Sequence, residues 1–134
     1  VVYTSKDNPI PATNFCSLFG GDIQFDDDFN PIYPEIMDKI DSYAMRIANG
    51  KNPISVDVFK LKNGQDREAV SAICRTHQAE IEQMMFGYDG EGIMASVKSN
   101  NGQVVYAKGT YVIMLSVLDP AGASAAIDAA LKIS

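Results

Sequence analysis

The chain is poor in the residues that most often build reactive centres, with one histidine and two cysteines in 134 residues. A structural zinc site takes four nitrogen or sulfur ligands, so these three side chains cannot complete one by themselves. Two cysteines, Cys16 and Cys74, are too few for a disulfide framework and stand far apart in the sequence. They can pair only if the fold brings them together. Their apolar neighbours (Phe15 and Leu18 for one, Ile73 for the other) favour two reduced, buried thiols. Long hydrophobic runs are missing too: the longest, Tyr111 to Leu118, is eight residues, against the roughly 20 that span a bilayer. Bases are scarce, 11 against 17 acids, and a net charge of −6 is the wrong sign for gripping nucleic acid or an anionic membrane. Internal repeats and low-complexity tracts are absent apart from a mild alanine bias over 121–130. The sequence opens Val1-Val2-Tyr3 without a methionine, which reads as a trimmed product with any targeting peptide upstream.

What is present is enough for one core. With 46% hydrophobic and 21% charged residues, the composition is that of a globular domain, and the length suits a single domain over 1–134. Charge is distributed unevenly. Residues 1–41 hold eight acids and two bases, a balance of −6, while residues 42–134 hold nine of each. The whole net charge therefore belongs to the N-terminal third, the kind of asymmetry that suits a basic partner.

Residues 1–33 show no sustained period and read as an irregular acidic arm. Ala12 to Phe19 can make one or two helical turns before Gly20-Gly21. Ile10, Phe15, Leu18, Phe19, Ile23, Phe25 and Phe29 make the arm too apolar for a free tail, so it is expected to pack on the α+β core of 34–134. Pro34 to Asn49 predicts a helix from the spacing of Ile36, Ile40, Tyr43 and Ile47. Ile54 to Leu61 predicts a strand, with Ile54, Val56 and Val58 on one face. Gln65 to Phe86 is the clearest helix, with Val70, Ile73, Cys74, His77, Ile81, Met84 and Met85 on its apolar stripe. Three strands are then expected: Ile93–Ser99, a hairpin turn at Asn100-Asn101-Gly102, Gln103–Lys108, a turn at Gly109, and Tyr111–Leu118. Asp119 and Pro120 open a closing helix that runs to about Lys132. The predicted class is α+β, an antiparallel sheet of about four strands with helices packed on it, in the order α-β-α-β-β-β-α.

Four stretches could carry chemistry. Cys74 and His77 lie three apart on one helix face, the spacing of two metal ligands or of a thiol and its base, with Cys16 as a possible third member. The same spacing sets them side by side on a buried stripe, where packing is the better reading and His77 is expected to bond to backbone. Asp26-Asp27-Asp28, with Asp22 before them, offers clustered carboxylates to a hard cation such as calcium, although successive acids in an extended chain point apart and the calcium-loop spacing is missing. A solvated acidic turn is the simpler reading. The glycines of 87–92 follow a helix, carry two acids and lack a Lys-Ser/Thr pair, so they make a connection rather than a phosphate cradle. The order helix, three strands, helix over 65–132 is superficially that of the double-stranded RNA-binding module, but Asp119 to Ser124 has no lysine to hold phosphate.

One longer pattern points outward. The run Ile54-Ser55-Val56-Asp57-Val58-Phe59-Lys60-Leu61-Lys62 leads through Gly64-Gln65-Asp66 into the long helix, and Lys108-Gly109-Thr110-Tyr111-Val112 precedes an Asp-led closing helix. This resembles domain of unknown function 4358, an uncharacterised domain of Gram-positive lipoproteins, over roughly residues 36–132. The resemblance implies an extracytoplasmic, cell-envelope accessory or binding module with no cofactor and no catalytic signature. Its partner would be a protein or cell-wall surface of basic character, and any lipid anchor would lie outside this chain. The acidic arm is longer than the resemblance leads one to expect, and Cys16, preceded by Thr13-Asn14-Phe15, lacks the context of a lipidated cysteine. The rival expectations are a small thiol enzyme using Cys74 or Cys16 with His77, and calcium-assisted adhesion through Asp22 and Asp26 to Asp28.

Overall fold

A computed structural model describes residues 1–133. Five antiparallel strands form the main sheet, in the order β1 (Val2–Thr4), β4 (Ile40–Arg46), β5 (Ser55–Leu61), β7 (Tyr111–Ser116), β6 (Gln103–Lys108). A separate two-stranded ribbon pairs β2 (Gln24–Phe25) with β3 (Pro31–Ile32). The helices are α1 (Ala12–Phe19), α2 (Arg67–Met85), α3 (Glu91–Ser99) and α4 (Pro120–Leu131). The class is α+β, as expected, with one more strand in the main sheet than the pattern indicates.

Alternation along β5 divides the interior into two layers. Phe59 and Leu61 face the α1, α2 and α3 side, joining Phe15, Phe19, Val70, Cys74, Ile81, Met85, Met94 and Val97 in the larger core. Val56 and Val58, with Ile54, face the other way and meet Ile113, Leu115 and Val117 beneath Ala123 and Ile127 of α4. Strand β7 sits between β5 and β6 and is buried on both faces, which is why Tyr111 to Ser116 is apolar without alternation.

Two elements differ from the sequence-based expectation. Pro34–Asn49 is not a helix: a 3-10 turn at Glu35–Lys39 leads directly into strand β4. Met45 pairs with Asp57, Tyr43 with Phe59 and Ile40 with Leu61, and the register slips between Ile40 and Ser42. That bulge inserts one residue, so the inward side chains fall at 40, 43 and 45, and a strand takes on a three-residue spacing that imitates a helix. Ile93–Ser99 is not a strand but lies within α3, whose buried side chains are Met94 and Val97, while Ile93 is 37% exposed. The alternation Ile93, Ala95, Val97 is therefore incidental, and the glycine-flanked segment closes against the core with only two side chains.

The expected hairpin at Asn100-Asn101-Gly102 is instead the end of α3. Asn101 takes a left-handed backbone (φ 53°), and Gly102 donates to Val97 O while accepting from Val117 N. The two-residue turn at Gly109-Thr110 is as expected, with Gly109 at φ +59°. The closing helix also starts as read, with the Asp119 carboxylate capping Gly122 N at 3.1 Å.

The arm is more ordered than an irregular segment. β1 extends the sheet, and α1 packs on α2, so Ile10, Phe15 and Phe19 are buried as expected. Two tyrosine hydroxyls hold Ile10: Tyr33 donates to its carbonyl, and its N–H donates to Tyr43 at 3.0 Å. Ile23, Phe25 and Phe29 do not join the core. They project from the β2–β3 ribbon into solvent.

Candidate functional site

The polar residues with chemical potential separate into a sealed group and an open one. The sealed group lies where α2 crosses the sheet. Asp57, in the middle of β5, points inward because Phe59 and Leu61 on the same face do, and His77 comes down onto it from the apolar stripe of α2. Nδ1 of His77 and Oδ2 of Asp57 are 2.6 Å apart, and both side chains are 0% exposed. The Phe19 ring covers the imidazole at 4.7 Å between centroids. His77 is therefore held by a carboxylate rather than by backbone, which corrects the expectation for it. Burial pushes the Asp57 carboxyl above its ordinary range, and the adjoining His77 draws it back.

This arrangement contains two parts of a nucleophilic triad and no third. A carboxylate on Nδ1 orients an imidazole so that Nε2 can act as base. Here Nε2 has no hydrogen-bond partner, and neither does Asp57 Oδ1; the buried Ser116 Oγ of β7 is likewise without one. Cys74 shares the helix face with His77 but makes no bond to it, since Nε2 is unpaired and Nδ1 is taken by Asp57. Burial first, and then the Asp57 charge, push the Cys74 thiol well above its usual value, against a smaller opposing effect of Arg75. A reactive cysteine needs the opposite environment, electropositive and reachable. Cys16 is buried separately on α1, and both cysteines are free thiols.

The open group is the arm. Asp26 closes the β2–β3 turn, its carboxylate accepting from Asp28 N and Asn30 N, each at 2.9 Å. Asp22, Asp27 and Asp28 are exposed around it. Among the described residues, no three histidine, cysteine or acidic side chains gather as a metal would require. What the sequence did not indicate is the company these acids keep. Phe25 is 57% exposed and Phe29 84% exposed, with Ile23, Ile32 and Tyr33 also open to solvent. Beside them a groove of about 480 Å³ is lined by Asp22, Gln24, Ile32, Tyr33, Pro34 and Glu35. Phe29, at the turn, takes a left-handed backbone (φ 63°), a conformation uncommon for a bulky residue.

Of the residues that matter to the sealed group, Asp57 was missed. Its signal was an acid occupying an inward position in a strand whose other face is Val56 and Val58, opposite a helix whose stripe carries the one histidine. The glycine segment 87–92 joins α2 to α3, tied by Gly90 N to Gly50 O at 2.9 Å, and is a connection as expected. Among the described residues, no helix is long and apolar enough to cross a membrane. Comparison with family models, with curated proteins and with solved structures finds no match for the chain.

Proposed function

We propose that the chain is a non-catalytic binding or accessory module of the cell envelope, working outside the cytoplasm and engaging a basic, partly apolar partner through its acidic arm. The observation that carries this reading is the exposed Phe25 and Phe29 set among Asp22, Asp26, Asp27 and Asp28. Large apolar side chains clustered on a surface mark contact sites, and a ring of one charge around them selects the opposite charge. The resemblance over residues 36–132 agrees with a module of this kind. The sealing of Asp57, His77 and Cys74 supports a packing role for the chain's most reactive set.

The test uses a soluble peptide of alternating lysine and leucine and its counterpart with glutamate in place of lysine. The lysine peptide is expected to bind saturably and to weaken as salt is raised. The double variant Phe25→Ser, Phe29→Ser should bind at least about tenfold more weakly with unchanged melting, because both rings are outside the core. Equal binding by the variant, or equal binding of the glutamate peptide, overturns the reading.

A further inference from the structure

The two edges of the main sheet are finished differently. On the outer side of β1, Asn8 turns back on the strand: Thr4 and Asn8 exchange backbone hydrogen bonds of 3.0 and 3.2 Å, and Asn8 Nδ2 donates to Val2 O at 2.8 Å. That edge is short and closed. Strand β6 is six residues long, runs in unbroken register with β7, and has no proline and no bulge. Its backbone makes no hydrogen bond beyond the ladder to β7 among the described residues. Such an edge is ordinarily defended by an outward charge. The charged residue available, Lys108, is drawn back onto α4, where it pairs with Asp128, and Tyr106 donates to the same carboxylate at 3.1 Å.

The ladder decides which groups the edge offers. Residues flanking a two-residue hairpin loop exchange both hydrogen bonds, so Lys108 and Tyr111 face each other, and the pattern alternates from there. The bond from Val117 N to Gly102 O confirms that even-numbered residues bond inward. Gln103, Val105 and Ala107 thus turn their N–H and C=O groups outward.

We infer that β6 pairs antiparallel with β6 of a second copy about a two-fold axis at Val105, joining the two sheets into one. In that register Val105 meets its own counterpart and Gln103 meets Ala107 of the other copy, so all three outward-facing residues are satisfied on each side. Val104 then lies across from Tyr106 in the closely spaced, non-hydrogen-bonded pairs, an aromatic against a β-branched side chain, which is a favourable cross-strand match. The axis closes on itself, so assembly stops at two. Charge supports a second copy as the occupant. Residues 42–134 balance to zero, and the −6 sits in residues 1–41, which include β1 at the far edge of the sheet. The pairing keeps the acidic arms at the outer ends, away from each other.

Sedimentation of the full chain over a range of concentrations reads this directly. The parent is expected to reach twice the chain mass. Ala107→Pro removes one outward N–H per copy, two hydrogen bonds per dimer, and should raise the dissociation constant roughly 30-fold. Val105→Cys, which does not depend on that variant folding, should cross-link to a covalent dimer on mild oxidation, because the two positions face each other at the axis. A parent that stays at the chain mass at hundreds of micromolar overturns the inference. So does a dimer indifferent to Ala107→Pro, or a Val105→Cys protein that does not cross-link.

Discussion

Asp57→Ala is expected to remove about 3–5 kcal/mol of folding stability, a large part of what a domain of this size possesses. The substitution does more than delete a 2.6 Å contact. It leaves His77, with no exposure to water, facing a cavity on one side and the Phe19 ring on the other. Replacing both members with apolar residues of suitable shape, Asp57→Val with His77→Leu, should instead fall within about 1 kcal/mol of the parent or exceed it. The reason is that the pair already leaves Asp57 Oδ1 and His77 Nε2 without partners. Urea unfolding of the parent, the single variant and the double variant measures both numbers. A double variant as unstable as Asp57→Ala would show that the pair itself, and not the orphaning of one member, holds the sheet to α2.

The raised Asp57 carboxyl gives this experiment a pH axis. The folded state binds this proton more tightly than the unfolded chain does, so this group favours the folded state fully below the ordinary carboxyl value of 3.8. That contribution is lost as pH rises through the higher folded-state value.

Gly102→Ala should be as damaging, by a different route. A Cβ there would stand 1.7 Å from Val117 O, 2.9 Å from Val117 C and 3.0 Å from Val97 O, all of them backbone atoms. No rotamer change relieves that overlap. The end of α3 and the end of β7 must separate, breaking the bonds from Gly102 N to Val97 O and from Val117 N to Gly102 O. A loss of about 4 kcal/mol or more, or outright failure to fold, is expected. Gly92→Ala is the control: nothing lies within 4 Å of its Cβ and it sits inside α3, so it should gain up to about 1 kcal/mol. Thermal melts of the two variants distinguish a demand for space at Gly102 from a general preference for glycine.

Most of the framework was legible where one signal dominated. The α2 stripe, the β6–β7 hairpin with its Gly109 turn, and the Asp119-Pro120 start of α4 each depend on local spacing or a single cap, and each stands as read. The two misread elements fail for physical reasons that lie outside the local pattern. In β4, a bulge between Ile40 and Ser42 changes the spacing of inward residues, and only the pairing partner Leu61 shows that a strand continues there. In α3, the choice of Met94 over Ile93 as the buried side chain comes from the core against which the segment closes.

The candidate site was legible only in part. Cys74 and His77 were correctly set on one buried face, but the carboxylate that holds His77 comes from β5, 20 residues earlier. The acids of the arm were plain from composition. That Phe25 and Phe29 stand outside the core with them was not, because apolar residues are ordinarily read as interior and no local pattern marks these two as exceptions.

The central claim is that the reactive side chains, Cys16, Cys74 and His77, are sealed within the fold. Thiol titration at neutral pH tests it most directly, using a colorimetric disulfide reagent on the native protein and then in denaturant. Cys16 and Cys74 should be protected in the native state and both react once the chain unfolds, because neither thiol is reachable and burial disfavours the Cys74 thiolate. Rapid, stoichiometric reaction of Cys74 in the native protein would contradict the claim and would place its chemistry with His77 at the centre of what this protein does.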